Sequence, residues 1–132
     1  MNATIGRVLR EALWAPAAIV VLNVIVAGLP QADGLWSLLH FLGGAAVAFF
    51  YYKVARIAVP MVAAWRYLFA FALACATALA WEIVEFIVDQ FAGTTLQQGN
   101  FDTMSDLILG MAGAAVYLVI HALAISRDRP SA

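Results

Sequence analysis

Three short stretches of this sequence carry side chains able to hold a cation or move a proton. They are LLHFLGG with His40, WEIVEFIVD with Glu82, Glu85 and Asp89, and NFDTMSD with Asp102 and Asp106. Glu82, Glu85 and Asp89 follow i, i+3, i+7 spacing and Asp102 and Asp106 follow i, i+4, so each set lies on one face if its segment is helical. One imidazole with several carboxylates is a donor set suited to Zn²⁺, Mn²⁺, Fe²⁺ or Mg²⁺. The expected metal ligands are His40, Glu82, Glu85, Asp102 and Asp106, and the expected cofactor is a divalent metal ion. A cation held there would polarise a phosphoryl or carbonyl oxygen or activate water. Glu85 and His40 are the expected catalytic residues, either serving as general base.

Each residue also has a plainer reading. Asp102 caps the helix that follows it, with Thr103 and Asp106 in a loose capping-box pattern. Asp89 reaches the interface and is solvated. Glu82 or Glu85 is neutral and bonds between helices. His121 is an interfacial residue or a partner for a helix C-terminus, and Asn23 is polar glue between helices. Cys75, the single cysteine, cannot form an internal disulfide and reads as a small apolar filler. Trp14, Trp36, Tyr51, Tyr52, Trp65 and Tyr67 read as aromatic belts at span ends.

The elements that position these groups follow from composition. Of 132 residues, 65% are hydrophobic and only 11% charged, against about 45–50% and about 25% in soluble domains. The chain is therefore one integral membrane domain. It has no basic run or basic-aromatic patch, which excludes nucleic acid as a partner. Segments at about 12–29, 35–54, 67–88 and 107–125 approach the ~20 residues that a hydrocarbon core of ~30 Å requires. Turn chemistry separates them: GLPQADG, VP at Val59 and Pro60, and GTTLQQGN. The fold class is all-α, a four-transmembrane-helix bundle. Arg7 and Arg10 before an apolar run resemble a signal peptide, but the run exceeds the usual ~7–15 residues and no A-x-A site follows. It reads as a retained span. Ile5, Val8, Leu9, Ala12 and Leu13 also fit one face of a short interfacial helix leading into it.

All seven basic residues fall in the N-terminal tail, the connection between spans two and three, or the C-terminal tail. The positive-inside rule puts those regions, and both termini, in the cytoplasm. The 30–34 and 93–102 loops are then outside, in a multi-pass protein of the bacterial inner membrane. His40 lies roughly 8 Å and Glu85 roughly 9 Å inside the outer boundary at ~1.5 Å per residue. No Lys or Arg stands on that side. The carboxylates must then be protonated, be solvated in an outward cavity, or share a cation. Gly43, Gly44, Gly110 and Gly113 continue the polar faces and would let the helices approach closely.

The three motifs, in this order, resemble the VanZ-like group of small polytopic membrane proteins, including its YjdF-type branch. In that pattern a His precedes small residues, an E-x-x-E-like element follows on a later helix, and an Asp pair opens the last helix. His40, Glu82, Glu85, Asp102, Asp106 and Gly113 match it, while Gly110 stands where the pattern has Asn. The resemblance spans roughly residues 35–115. It implies a compact helical membrane fold and no particular reaction.

The function that these residues point to is a hydrolase or transferase acting on a lipid-linked or amphipathic substrate at an outer-leaflet metal site. The alternative is a non-catalytic accessory or assembly subunit of a larger membrane complex. A third class is an ion or proton conductor, for which one chain without an internal repeat is poorly suited. Expected partners are the lipid bilayer and either other membrane subunits or further copies of the chain.

Overall fold

The computed structural model describes residues 3–29 and 33–127. It contains five helices: α1 (Ala3–Ala12), α2 (Trp14–Ala27), α3 (Asp33–Ala58), α4 (Ala63–Ala92) and α5 (Asn100–Arg127). With 26, 30 and 28 residues, α3, α4 and α5 run for about 39–45 Å at ~1.5 Å per residue. Each exceeds the ~30 Å hydrocarbon thickness. The all-helical expectation holds, with three long spans and a fourth if α1 and α2 count as one broken span. Of the expected outside loops, residues 30–32 lie outside the described residues, as does Arg129.

The expected first span is not one straight helix. α1 and α2 meet at Leu13 with a bend of 48°. Pro16 supplies the reason: it has no N–H to give to the Ala12 carbonyl, and its ring crowds that carbonyl. α2 has 14 residues, about 21 Å, too short to cross alone. In α1, Ile5 and Leu9 are exposed, as is Leu13 at the bend, while Arg7 pairs with Glu11 at 2.7 Å. Glu11 also meets Lys53 of α3 at 3.5 Å. Ala12, on the same expected apolar face, is buried against the bundle instead of exposed.

The other helix ends obey local chemistry. α3 stops ahead of Pro60, which cannot continue the ladder. α4 ends at Gly93, whose φ of 66° is the left-handed conformation of a helix C-terminus, with its N–H on the Asp89 carbonyl at 3.1 Å.

The bundle turns the usual size order inside out. Its buried positions include Ala48, Ala70, Ala74 and Ala114, while Val24, Trp14, Phe91 and Phe101 are exposed. Bulky apolar side chains gain nothing by leaving lipid, whereas small ones let backbones approach. The closest approach joins the parallel helices α3 and α5. A Cβ on Gly44 would fall onto the Gly110 carbonyl oxygen, and one on Gly113 onto the Phe41 carbonyl oxygen. α4 closes against this pair, with Ala78 beside Gly110 and Tyr51 Oη 3.2 Å from Thr77 Oγ1.

The aromatic residues divide. Trp14 and Trp65 are exposed as a belt requires. Tyr52 is buried, and Tyr51 and Tyr67 pack against the core, so these three join helices instead. His121 is part of the same cluster: its Nδ1 lies 3.0 Å from Tyr67 Oη and its ring 4.4 Å from that of Tyr52. Asn23 donates to the Ile19 carbonyl of its own helix at 2.9 Å, not to a neighbouring helix. Cys75 is half-buried and free.

Candidate functional site

His40 and Asp106 lie one turn before Gly44 and Gly110 respectively. The glycine crossing therefore brings them together: His40 Nδ1 lies 3.1 Å from Asp106 Oδ1. Nδ1 is also 3.1 Å from the Trp36 carbonyl oxygen. A carbonyl can only accept, so Nδ1 carries the ring proton and donates it between two oxygens. The other ring nitrogen, Nε2, then faces α4, where Glu82 Oε1 stands 3.8 Å away.

Glu82 reaches this point because it ends a stripe of small residues. Ala70, Ala74 and Ala78 recur every four positions and face α3 and α5; Glu82 is the next member. It is 4% exposed, and it is the one buried charged residue among the described residues. Gln97 covers it from the 93–99 connection, its Nε2 donating to the Glu82 carbonyl at 2.9 Å and to Oε2 at 3.3 Å. His40, Glu82 and Asp106 each offer one ligand atom, and these atoms lie within 4.8 Å of one another.

The remaining candidates stand outside that group. Glu85 accepts a hydrogen bond from Trp81 Nε1 at 2.6 Å, one turn back on its own helix. Asp102, in the first turn of α5, accepts from the Gln98 backbone N–H at 2.9 Å and ties the preceding connection to the helix, instead of capping the N–H groups of α5 itself. Asp89 is more than a solvated group. It accepts from Thr94 Oγ1 at 2.6 Å, the Leu96 N–H at 2.8 Å and the Gln97 N–H at 2.9 Å. It folds the connection back over the end of α4 and so delivers Gln97 to Glu82. Replacing Asp89 by Ala should make the Leu96 and Gln97 amides exchange markedly faster, with protection in the helix interiors unchanged. Unchanged exchange at those two amides would mean that the loop is held by something else.

Beside the cluster a cleft of about 290 Å³ opens between α2 and the three long helices. Its walls are mostly apolar, with Ile19, Val20 and Val47 among them, and His40, Glu82, Asp106 and Asn23 are among the polar groups that line it. An apolar pocket with a few converging polar groups is the usual form of a ligand site.

Nε2 facing a carboxylate calls for something positive between them, either a proton on the ring or a cation. At 3.8 Å the two atoms are too far apart for a direct hydrogen bond. Bonds of ~2.0–2.2 Å from a cation to each would bridge that gap at an open angle. Asp106 would then orient the ring from behind, as carboxylates do for metal-bound histidines.

Sequence reasoning missed Gln97. Neither its residue type nor its spacing marks it, since it reaches the site through a loop that Asp89 folds.

A family model described as Predicted membrane protein (DUF2238) matches residues 31–127. The match takes in α3, α4, α5 and all three clustered residues, and leaves α1 and α2 outside. No curated protein and no solved structure matches the chain.

Proposed function

We propose that this chain, which belongs to the DUF2238 family of predicted membrane proteins, holds a divalent cation between His40 Nε2 and Glu82. The cation would act there on the polar end of an amphipathic or lipid-linked substrate lying in the apolar cleft. The observation that carries the reading is the orientation of His40. Its Nδ1 proton is engaged by Trp36 and Asp106, which leaves Nε2 aimed at a buried carboxylate. Hydrolysis or group transfer is the chemistry such a cation supports, through polarised oxygen or activated water. Glu85 and Asp102 would join its ligands only by giving up Trp81 and Gln98, so the proposal rests on His40, Glu82 and Asp106. The likeness of the three motifs to the VanZ-like group is part of this reading, supported by their order along the chain. Metal analysis of the protein purified without chelators tests the centre. About one equivalent of a divalent metal, lost on His40→Ala, is the expected result; less than a tenth of an equivalent on the order of background would sink it.

The orientation proposed is that of the bacterial inner membrane with both termini cytoplasmic, supported by the placement of the basic residues. Single cysteines at Thr95 and Ala64, in a Cys75→Ala background, should behave oppositely. Thr95 should react with an impermeant reagent added outside, and Ala64 only after permeabilisation. The reverse pattern would invert the topology and move the cluster to the cytoplasmic half.

One observation favours the accessory-subunit reading. In the Trp81–Glu85 pair, Trp81 is exposed and Glu85 half-buried at the lipid side of α4. A carboxylate facing lipid is costly, and a neighbouring subunit or second copy would cover it. Co-purification of a stoichiometric membrane partner, with no metal bound, would bring that reading forward.

A further inference from the structure

The opposite end of the bundle holds a second cleft, of about 530 Å³, among the ends of α3, α4 and α5. Arg56 from the last turn of α3 and Arg66 from the start of α4 both line it, together with Tyr67 and Ser126. No carboxylate lines it among the described residues. Among the described residues neither arginine forms an ion pair; Arg7 and Lys53 share Glu11, away from the cleft. Two like charges facing one cavity, with no counter-charge among the described residues, repel and favour an anion between them.

Two further features point the same way. The Nε of Arg66 is shielded from solvent and has no hydrogen-bond partner among the described residues, and buried N–H groups of this kind are ordinarily satisfied. The N-terminus of α4 also opens here, since Ala63 lines the cleft. Val62 provides no side-chain cap, and the first turn holds no acidic residue. Its free N–H groups and the positive end of its dipole are left for an external acceptor. A tetrahedral oxyanion matches this set, because the planar arginine fork pairs two N–H groups with two phosphate oxygens.

We propose that this cleft binds a phosphate group, and that the phosphate belongs to the headgroup of an anionic phospholipid. The surroundings favour a lipid over free phosphate. Val62 and Trp65, beside the arginines, are 64% and 61% exposed, and an exposed Trp at a span end sits where acyl chains meet headgroups. The lipid would lie with its chains along the outer surface of α4 and its phosphate between Arg56 and Arg66.

Thermal unfolding of the purified full chain in neutral detergent tests this. Short-chain phosphatidylglycerol should raise the unfolding temperature, whereas uncharged diacylglycerol of the same chain length should not. The double variant Arg56→Gln/Arg66→Gln should need at least about tenfold more phosphatidylglycerol for the same rise. Arg10→Gln removes one exposed charge from α1 and should respond as wild type. If the double variant fails to fold, Arg66→Lys serves: it keeps the charge, removes the fork and Nε, and should still weaken the response several-fold. A rise produced by inorganic phosphate alone, with the same dependence on both arginines, would support the phosphate site and reassign its ligand from lipid to solute. Equal responses of wild type and both arginine variants, or an equal loss in Arg10→Gln, would overturn the site and leave only general charge attraction.

Discussion

Glu82→Gln should abolish metal-dependent stabilisation while leaving the bundle folded. Glutamine keeps the volume of the side chain and still accepts from Gln97, which now donates to Oε2 at 3.3 Å. Its amide N–H groups would face His40 Nε2, so the repulsive pairing of lone pair and carboxylate becomes a hydrogen-bonding one. Without metal the variant should therefore be at least as stable as wild type, since removing an uncompensated buried charge relieves a cost. With metal at about 100 times its dissociation constant, wild type should gain about 2.7 kcal/mol and the variant nearly nothing. Melting curves across Zn²⁺, Mn²⁺, Fe²⁺ and Mg²⁺ provide the readout. Glu85→Gln is the informative companion: because Glu85 is engaged by Trp81, it should retain most of the metal response. If Glu82→Gln and wild type respond alike to every metal, the cation proposal is lost and the accessory-subunit reading stands ahead. If Glu85→Gln loses the response and Glu82→Gln keeps it, the centre has been placed on the wrong carboxylate.

Gly44→Ala should destabilise the bundle by about 3 kcal/mol or more, at the upper end of what overpacking costs. The added methyl meets the carbonyl of Gly110, which is backbone on a neighbouring helix and cannot rotate away. α3 and α5 must separate instead, and His40 and Asp106 lie one turn from the point of contact. The variant should thus lose metal response together with stability. Gly113→Ala meets the Phe41 carbonyl in the same way and should behave alike. Gly43→Ala is the control, since its methyl would make an ordinary contact at 3.6 Å with Ile19 Cγ2. Replacing a helical Gly by Ala gains up to about 1 kcal/mol of helix propensity, so this variant should be neutral or stabilising. Unfolding in mixed micelles separates the cases. Equal stability of Gly44→Ala and Gly43→Ala would show that the crossing is looser than the backbone contact implies.

Much was legible in the residues themselves. Apolar composition demanded membrane spans, because an unpaired backbone in lipid leaves only helices or closed barrels and the apolar runs are of helical length. The small residues after His40 and Asp106 marked a close helix contact, and the clustering of acidic groups away from the basic residues marked one end of the bundle. Two signals were present but unread. Pro16 sits four residues beyond Ala12, where it must break the first span. Ala70, Ala74 and Ala78 form a four-residue repeat that leads to Glu82 and not to Glu85. Spacing alone could not choose between those two glutamates: i and i+3 share a helix face, and about 60° of rotation, at ~3.6 residues per turn, decides which one points inward. That rotation is set by the packing of α4 against α3 and α5, where Ala78 meets Gly110, a residue more than 30 positions away in the chain. The meeting of His40 with Asp106, the reach of Gln97 over Glu82 and the convergence of Arg56 with Arg66 have the same origin. Each joins groups that no helical periodicity relates, so only the packing of the helices and the fold of one loop decided them.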